Sequence, residues 1–139
     1  MKRKLFSLLL ALILTVSALA ALGESIPQID LDLSGMSSLI VFSQVAAMME
    51  DPSQYEGKVV RVSGYYDYID DLYTNNLYHL CMIADVTACC AQGLEFVPKE
   101  GVELPEPGSN VTVTGRFEIY YEDQDMYVHL VDADILCSD

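Results

Sequence analysis

The chain has 139 residues, 52% of them apolar, with 21 acidic against 7 basic side chains, a formal charge of −14, four cysteines, two histidines and no tryptophan. That length suits one domain at most. The apolar share excludes a disordered chain, and 8 Gly with 5 Pro exclude a low-complexity or collagen-like one. So large an acidic excess leaves no basic surface for phosphates and repels anionic lipid headgroups. Charge alone therefore leads to the expectation of no nucleic acid partner.

The amino end reads as an export signal. Lys2, Arg3 and Lys4 precede an uncharged, leucine-rich run from Leu5 to Leu22, and Ala18-Leu19-Ala20 fits the small-x-small cleavage rule, placing a signal peptide over 1–20. The alternative is an uncleaved anchor, since 18 residues make a helix of about 27 Å against a hydrocarbon core of about 30 Å. That segment is the one expected route to a membrane. Its removal leaves four cations against 21 acids, a net −17. The expected location is extracytoplasmic, secreted or associated with the cell envelope, where oxidising conditions favour disulfides.

Residues 21–36 mix Pro27, acids and isolated apolar residues without a period and read as a flexible linker. Over 37–51, Leu39, Val41, Phe42, Val45, Ala46, Met48 and Met49 recur at helical spacing, with Ser37 or Ser38 as cap and Asp51-Pro52 as stop, which predicts one amphipathic helix. Beyond it the period becomes two. Val60 and Val62 alternate with Arg61 and Ser63, and Val111, Val113, Phe117 and Ile119 alternate with Thr112, Thr114, Glu118 and their neighbours. The segments "GKVVRVSGYYDYIDD" from Gly57 and "GSNVTVTGRFEIYYED" from Gly108 echo each other, each with a second Gly seven residues on and two Val at the same offsets. Leu77 to Ala84, roughly Ala88 to Val97 after an Asp85-Val86 turn, and Met126 to Leu136 supply the other strands. Five short strands, the first and fourth kinked at Gly, suggest a small closed barrel over 52–139.

The order of helix, "DPSQYEGKVVRVSG", hairpin, "VTVTGRF" and hairpin resembles an OB-fold barrel. The segment "YHLCMIADVTACCAQGLEFVP" is similar to one in uncharacterised exported OB-fold-like proteins of Firmicutes-type bacteria, whose pattern here reads ADxTACCxQGxEF. The resemblance implies a mainly β, five-stranded OB-fold-like closed barrel preceded by one amphipathic helix, and implies export. It transfers no catalytic residue.

Cysteine is the first source of chemistry. Cys89 and Cys90 are adjacent, and their α-carbons about 3.8 Å apart fall short of the usual disulfide span. A two-residue turn at Asp85-Val86 would set Cys81 opposite Cys90. Structural bridging among Cys81, Cys89, Cys90 and Cys137, a metal site and a labile redox pair all stay open. His79 and Cys81 share a strand face, so Cys89 or Cys90 as third ligand, with Asp85 or Glu95 near, would make a zinc- or copper-compatible set.

Tyrosines and carboxylates are the second source. Tyr66, Tyr68 and Asp70 in the first hairpin and Tyr121, Asp123 and Tyr127 in the last would flank the usual OB binding face. Rings beside carboxylates suit a sugar, an amine or a cationic peptide. There is no Gly-x-Ser-x-Gly elbow, phosphate-cradling Gly loop or His-Glu-x-x-His helix, so the expected role is an exported acidic binding or accessory module and not an enzyme. The alternative is an extracytoplasmic metal-binding or thiol-redox protein using the Cys89-Cys90 segment.

Overall fold

The computed structural model describes residues 28–73, 75–87 and 89–138. The expected signal peptide over 1–20 and the first part of the linker lie outside them. The described residues are mainly β with one α-helix: β1 (Leu31–Asp32), α1 (Ser38–Glu50), a short 3-10 turn (Pro52–Gln54), β2 (Val59–Asp71), β3 (Asn76–Ala84), β4 (Ala91–Pro98), β5 (Asn110–Glu122) and β6 (Asp125–Cys137).

All six strands share one sheet in the order β1-β2-β3-β4-β6-β5, and β2 pairs with β5 as well. Each of the five long strands thus pairs with two other long strands, and β2 with β1 besides. The β2–β5 ladder shows what the echoed segments do. Val60 faces Gly115, Val62 faces Val113 and Gly64 faces Val111, so each copy lies antiparallel to the other about a local two-fold at Val62–Val113. The bonds outside the ladder repeat the symmetry: Gly57 N–H donates to Phe117 O at 2.8 Å and Gly108 N–H to Tyr66 O at 2.7 Å. Both leading glycines have positive φ, 81° and 89°, which the absence of Cβ permits.

The second glycines let neighbouring backbone come close. A Cβ on Gly64 would sit 2.3 Å from Met82 O, and one on Gly115 would sit 2.9 Å from Val131 O. At Gly64–Tyr65, β2 passes from β5 to β3: Tyr65 faces both Asn110 and Met82. β3 leaves the first half of β2 unpaired, and β1 covers that edge in parallel, with Leu31 opposite Val60 and Leu33 N–H donating to Arg61 O at 2.8 Å.

Alternation sorts the long strands into an inner and an outer side. Val60, Val62, Tyr66, Cys81, Ile83, Leu94, Phe96, Val111, Val113, Phe117 and Leu130 are buried inside, and α1 adds Val41, Val45 and Met48 to the same core. The helix runs against β3 and β4, and Gln92 Nε2 donates to Phe42 O at 3.2 Å.

Several expectations need correction. The described residues form six strands, not five. The segment expected as a linker over 21–36 contains β1 and the fully buried Leu33, because an aspartate–backbone pair holds it: Val59 N–H donates to Asp30 Oδ2 and Asp30 N–H to Val59 O, both at 2.9 Å. β4 begins at Ala91 and not near Ala88, because β3 and β4 are joined by a loop over residues 85–90 that Asp85 N–H closes onto Cys90 O at 2.9 Å. Of the helical stripe, Leu39 is exposed.

Gly64→Ala should cost about 1–3 kcal/mol, because a backbone oxygen cannot swing aside as a side chain would. Gly35→Ala, with nothing within 4 Å of its Cβ, should stay within about 1 kcal/mol of the parent. Denaturant unfolding of the two variants checks this, and equal losses would contradict the close approach at β2.

Candidate functional site

The outward side of β3, β4, β6 and β5 carries a half-buried cluster of aromatic and acidic groups. The parallel pairing of β4 with β6 sets Glu95 beside His129, and the β5–β6 ladder sets His129 beside Glu118 and Tyr120 beside Tyr127. Glu95 is the hub. Tyr120 Oη donates to its Oε2 at 2.5 Å, and His129 Nδ1 lies 3.6 Å from its Oε1. The Tyr120 ring stacks on His129 at 4.3 Å and on Tyr127 at 5.6 Å between centroids. From the first hairpin, Tyr78 Oη donates to Glu122 Oε1 at 2.9 Å, joining the two hairpins. Burial, then the bond to Glu95, pushes the Tyr120 phenol well above its ordinary range, so it remains a donor.

The side chains of Glu95 and His129 are only 17% and 15% exposed. Among the described residues no lysine or arginine forms a salt bridge with Glu95 or Glu122. Arg61 is paired with Asp32, Lys99 with Asp134, and Arg116 with Glu118 and Asp132, while Lys58 lies over the Tyr55 ring. A 260 Å³ cavity opens beside the cluster, lined by Met49, Gly93, Glu95, Met126, Tyr127 and Val128. A larger one of 420 Å³ lies between β1, the start of α1 and the Gly64 kink, but no charged side chain lines it. Of these two, the smaller has a carboxylate in its wall, while a third cavity of 190 Å³ is lined by the paired charges Lys99, Arg116, Asp132 and Asp134.

The residues expected to form one ligand face are split. Tyr66 is a correction: it is 4% exposed and belongs to the core, its Oη 2.9 Å from His79 Nδ1 and its ring against Phe96. Even parity along β2 puts Tyr68 and Asp70 on the same side as Tyr66, exposed toward the hairpin tip. Tyr121 is 68% exposed but points opposite to Tyr120, and Asp123 sits in the turn at φ 55°. Of the six, Tyr127 alone stacks in the outer cluster. Tyr78, Tyr120, Glu122 and His129 were not among the six residues chosen from sequence for the ligand face, and Glu95 was placed only near the metal set. The shared outward parity of Tyr120, Glu122, Tyr127 and His129 was a usable signal. The nearness of Glu95 was not, because it needs the parallel β4–β6 pairing.

The cysteine expectations are also corrected. All four thiols are free. Cys81 faces Leu94, not Cys90, because the six-residue loop shifts the register, and it is fully buried, which pushes its thiol up to about 12. Cys137 lies exposed at the far end of β6, opposite Val111. The metal set built on His79 and Cys81 does not assemble: Tyr66 occupies His79 Nδ1, and Cys81 is sealed in the core. The loop instead gathers Asp85, Cys89 and Cys90. Asp85 Oδ1 accepts from the N–H groups of Thr87 and Cys89, both at 3.1 Å. Burial opposes ionisation of Asp85, but bonds from Thr87, Cys89 and Cys90 outweigh it and hold the carboxyl below its usual range.

No family model and no curated protein matches the chain. Among solved structures it is similar to the N-terminal domain of PriB protein from Thermoanaerobacter tencongensis, with 17% identity, 58% of this chain and 96% of that one covered, and a TM-score of 0.38. That neighbour stands against the flat exclusion of a nucleic acid partner, which is withdrawn; a likeness this distant assigns no partner in its place.

Thiol labelling of the reduced protein should count three fast cysteines, Cys89, Cys90 and Cys137, with Cys81 reacting only on unfolding. Four fast thiols in the native state would contradict the buried placement. The His79–Tyr66 pair gives a pH test. Burial lowers the His79 pKa below 6.5, so the native imidazole stays neutral while the unfolded chain takes up a proton. Its contribution is intact above 6.5 and is lost as pH falls from 6.5 toward the native value. Wild type should therefore lose more stability than His79→Asn between about pH 7.5 and about pH 5.5 in thermal melts; parallel losses would contradict it.

Proposed function

We propose that the protein is an exported binding module of OB type, its five long strands closing into a Greek-key barrel as in the exported OB-fold-like proteins its sequence resembles, and that it holds a cationic ligand on the outer face of β3, β4, β6 and β5. The ligand class is an amine or the basic side chain of a peptide. One observation carries this reading: Glu95 and Glu122 accept bonds from tyrosine hydroxyls, and His129 lies 3.6 Å from Glu95, yet among the described residues no lysine or arginine pairs with either, the four described cations being engaged elsewhere. A neutral sugar would leave those charges uncompensated. An ammonium or guanidinium entering the cavity beside Glu95 meets a carboxylate oriented by Tyr120 and the face of Tyr127. The long Met49 and Met126 side chains offer an adaptable apolar wall for the aliphatic stem of such a group. The first and last hairpins flank this face, as they do in OB domains that bind ligands there.

Titration with a tetralysine peptide, followed by nuclear magnetic resonance shifts of Tyr120 and His129, tests the reading. A hydrogen bond to a charged group contributes about 1.5–3 kcal/mol, so Glu95→Gln should weaken binding about 10- to 100-fold. Glu103→Gln, a charge-matched change on an exposed residue outside the cluster, should leave it within about twofold. Equal weakening by the two changes would reduce the effect to bulk charge and overturn the site.

A further inference from the structure

We infer that the loop joining β3 to β4 is a divalent-metal site of zinc type, formed by Asp85, Cys89 and Cys90. The site is separate from the cationic-ligand face and does not depend on it. In an extended strand adjacent cysteines point to opposite sides. Here the chain bends at Cys89, outside any strand, and the two thiols come to one side with their sulfurs 3.6 Å apart. Asp85 Oδ2 lies 3.4 Å from Cys89 Sγ, and the three ligand atoms all fall within 4.8 Å of one another. These are the edges of a tetrahedron around a metal: bonds of about 2.3 Å to sulfur and about 2.0 Å to oxygen at tetrahedral angles require S···S near 3.8 Å and S···O near 3.5 Å. Two thiolates and a carboxylate are ligands that zinc accepts together, and they neutralise a divalent ion with one negative charge to spare.

The surroundings prepare the ligands. The N–H groups of Thr87 and Cys89 hold Asp85 Oδ1, which turns Oδ2 toward Cys89 Sγ. Thr87 Oγ1 also reaches Cys89 Sγ at 3.0 Å, an outer hydroxyl able to donate to a bound thiolate. The loop itself is closed by the Asp85–Cys90 backbone bond at the ends of two paired strands, so the ligands sit on a fixed frame. Both cysteines are exposed, which leaves the fourth position to water or to a donor atom from outside the protein.

The test uses the full chain, reduced and freed of metal, with zinc as the probe. Native mass spectrometry should count one zinc per chain, and competition against a chromophoric chelator should give an affinity that falls at least tenfold in Cys89→Ser, in Cys90→Ser and in Asp85→Asn. Cys137→Ser, which removes the other exposed thiol, and Glu95→Gln, which alters the outer face, should bind zinc like the parent. The substituted loop residues lie outside the core, so thermal melts of the apo variants should match the parent and separate lost ligands from lost fold. Zinc uptake that survives the Cys89→Ser, Cys90→Ser double change would overturn the assignment, as would no uptake by the parent or a loss in Glu95→Gln equal to that in Cys90→Ser. Because Glu95→Gln is also the change that tests the cationic-ligand face, failure of one proposal is distinguishable from failure of the other.

Discussion

The pairing of β2 with β5 is the constraint from which the other features follow. Two copies of one short pattern, Gly, a pair of valines and a second Gly, lie antiparallel to each other, and each second Gly marks the place where its strand must bend against a neighbouring backbone. A side chain at Gly64 would push Met82 away and stop β2 from serving two partners in turn. With the bend in place, one strand joins the two hairpins, and the valines at the symmetry point, Val62 and Val113, are completely buried. Packing density then does the rest: Phe96, Phe117 and Leu130 meet the helix residues Val45 and Met48, and the Tyr66 hydroxyl in that core is bonded to His79.

That arrangement also decides where charge goes. The four cations of the described chain are spent on local pairs: Arg61 secures β1, Lys99 and Arg116 bind acids of β6, and Lys58 caps an aromatic ring. The outer face between the hairpins keeps Glu95 and Glu122, whose partners are hydroxyls and one imidazole, while Glu118 beside them is paired with Arg116. The first two are oriented but not neutralised, and orientation without neutralisation is what a site for a positively charged ligand needs. The cysteine loop lies at the end of β3 and the start of β4, so one hairpin supplies Tyr78 and Glu95 to the face and Asp85, Cys89 and Cys90 to its own tip.

Much of the fold was legible in the amino-acid order. Period-two alternation placed the long strands within a few residues, helical spacing placed α1 to within one residue at each end, and the echoed glycines marked the two bent strands. Local patterns could not show β1, because two residues carry no period and their place depends on Asp30 and Leu33 finding β2 some thirty residues later. The length of the β3–β4 loop was misread for a similar reason: Asp85-Val86 looks like a tight turn, but the carboxylate of Asp85 organises a wider one, and a shift of four in the sum of paired numbers moved Cys81 from Cys90 to Leu94.

The site was less legible than the fold. Tyrosines were grouped by hairpin, whereas side-chain parity separates neighbours such as Tyr120 and Tyr121 onto opposite faces. Tyr66 went to the core because its position continues the inward series of Val60 and Val62, a series visible in the sequence but outweighed by the attraction of its acidic neighbours. Glu95 could be placed only after the parallel β4–β6 contact was known, and that contact joins segments with no local signal linking them. The most direct measurement is therefore of the ring and face together, by interstrand nuclear Overhauser contacts in the folded protein. The account requires β2 to show backbone contacts both to β5, at Val62–Val113, and to β3, at Tyr66–Cys81, with Glu95 beside His129 across β4 and β6. Contacts from β2 to β3 with none to β5, or Glu95 without His129 as a neighbour, would contradict it.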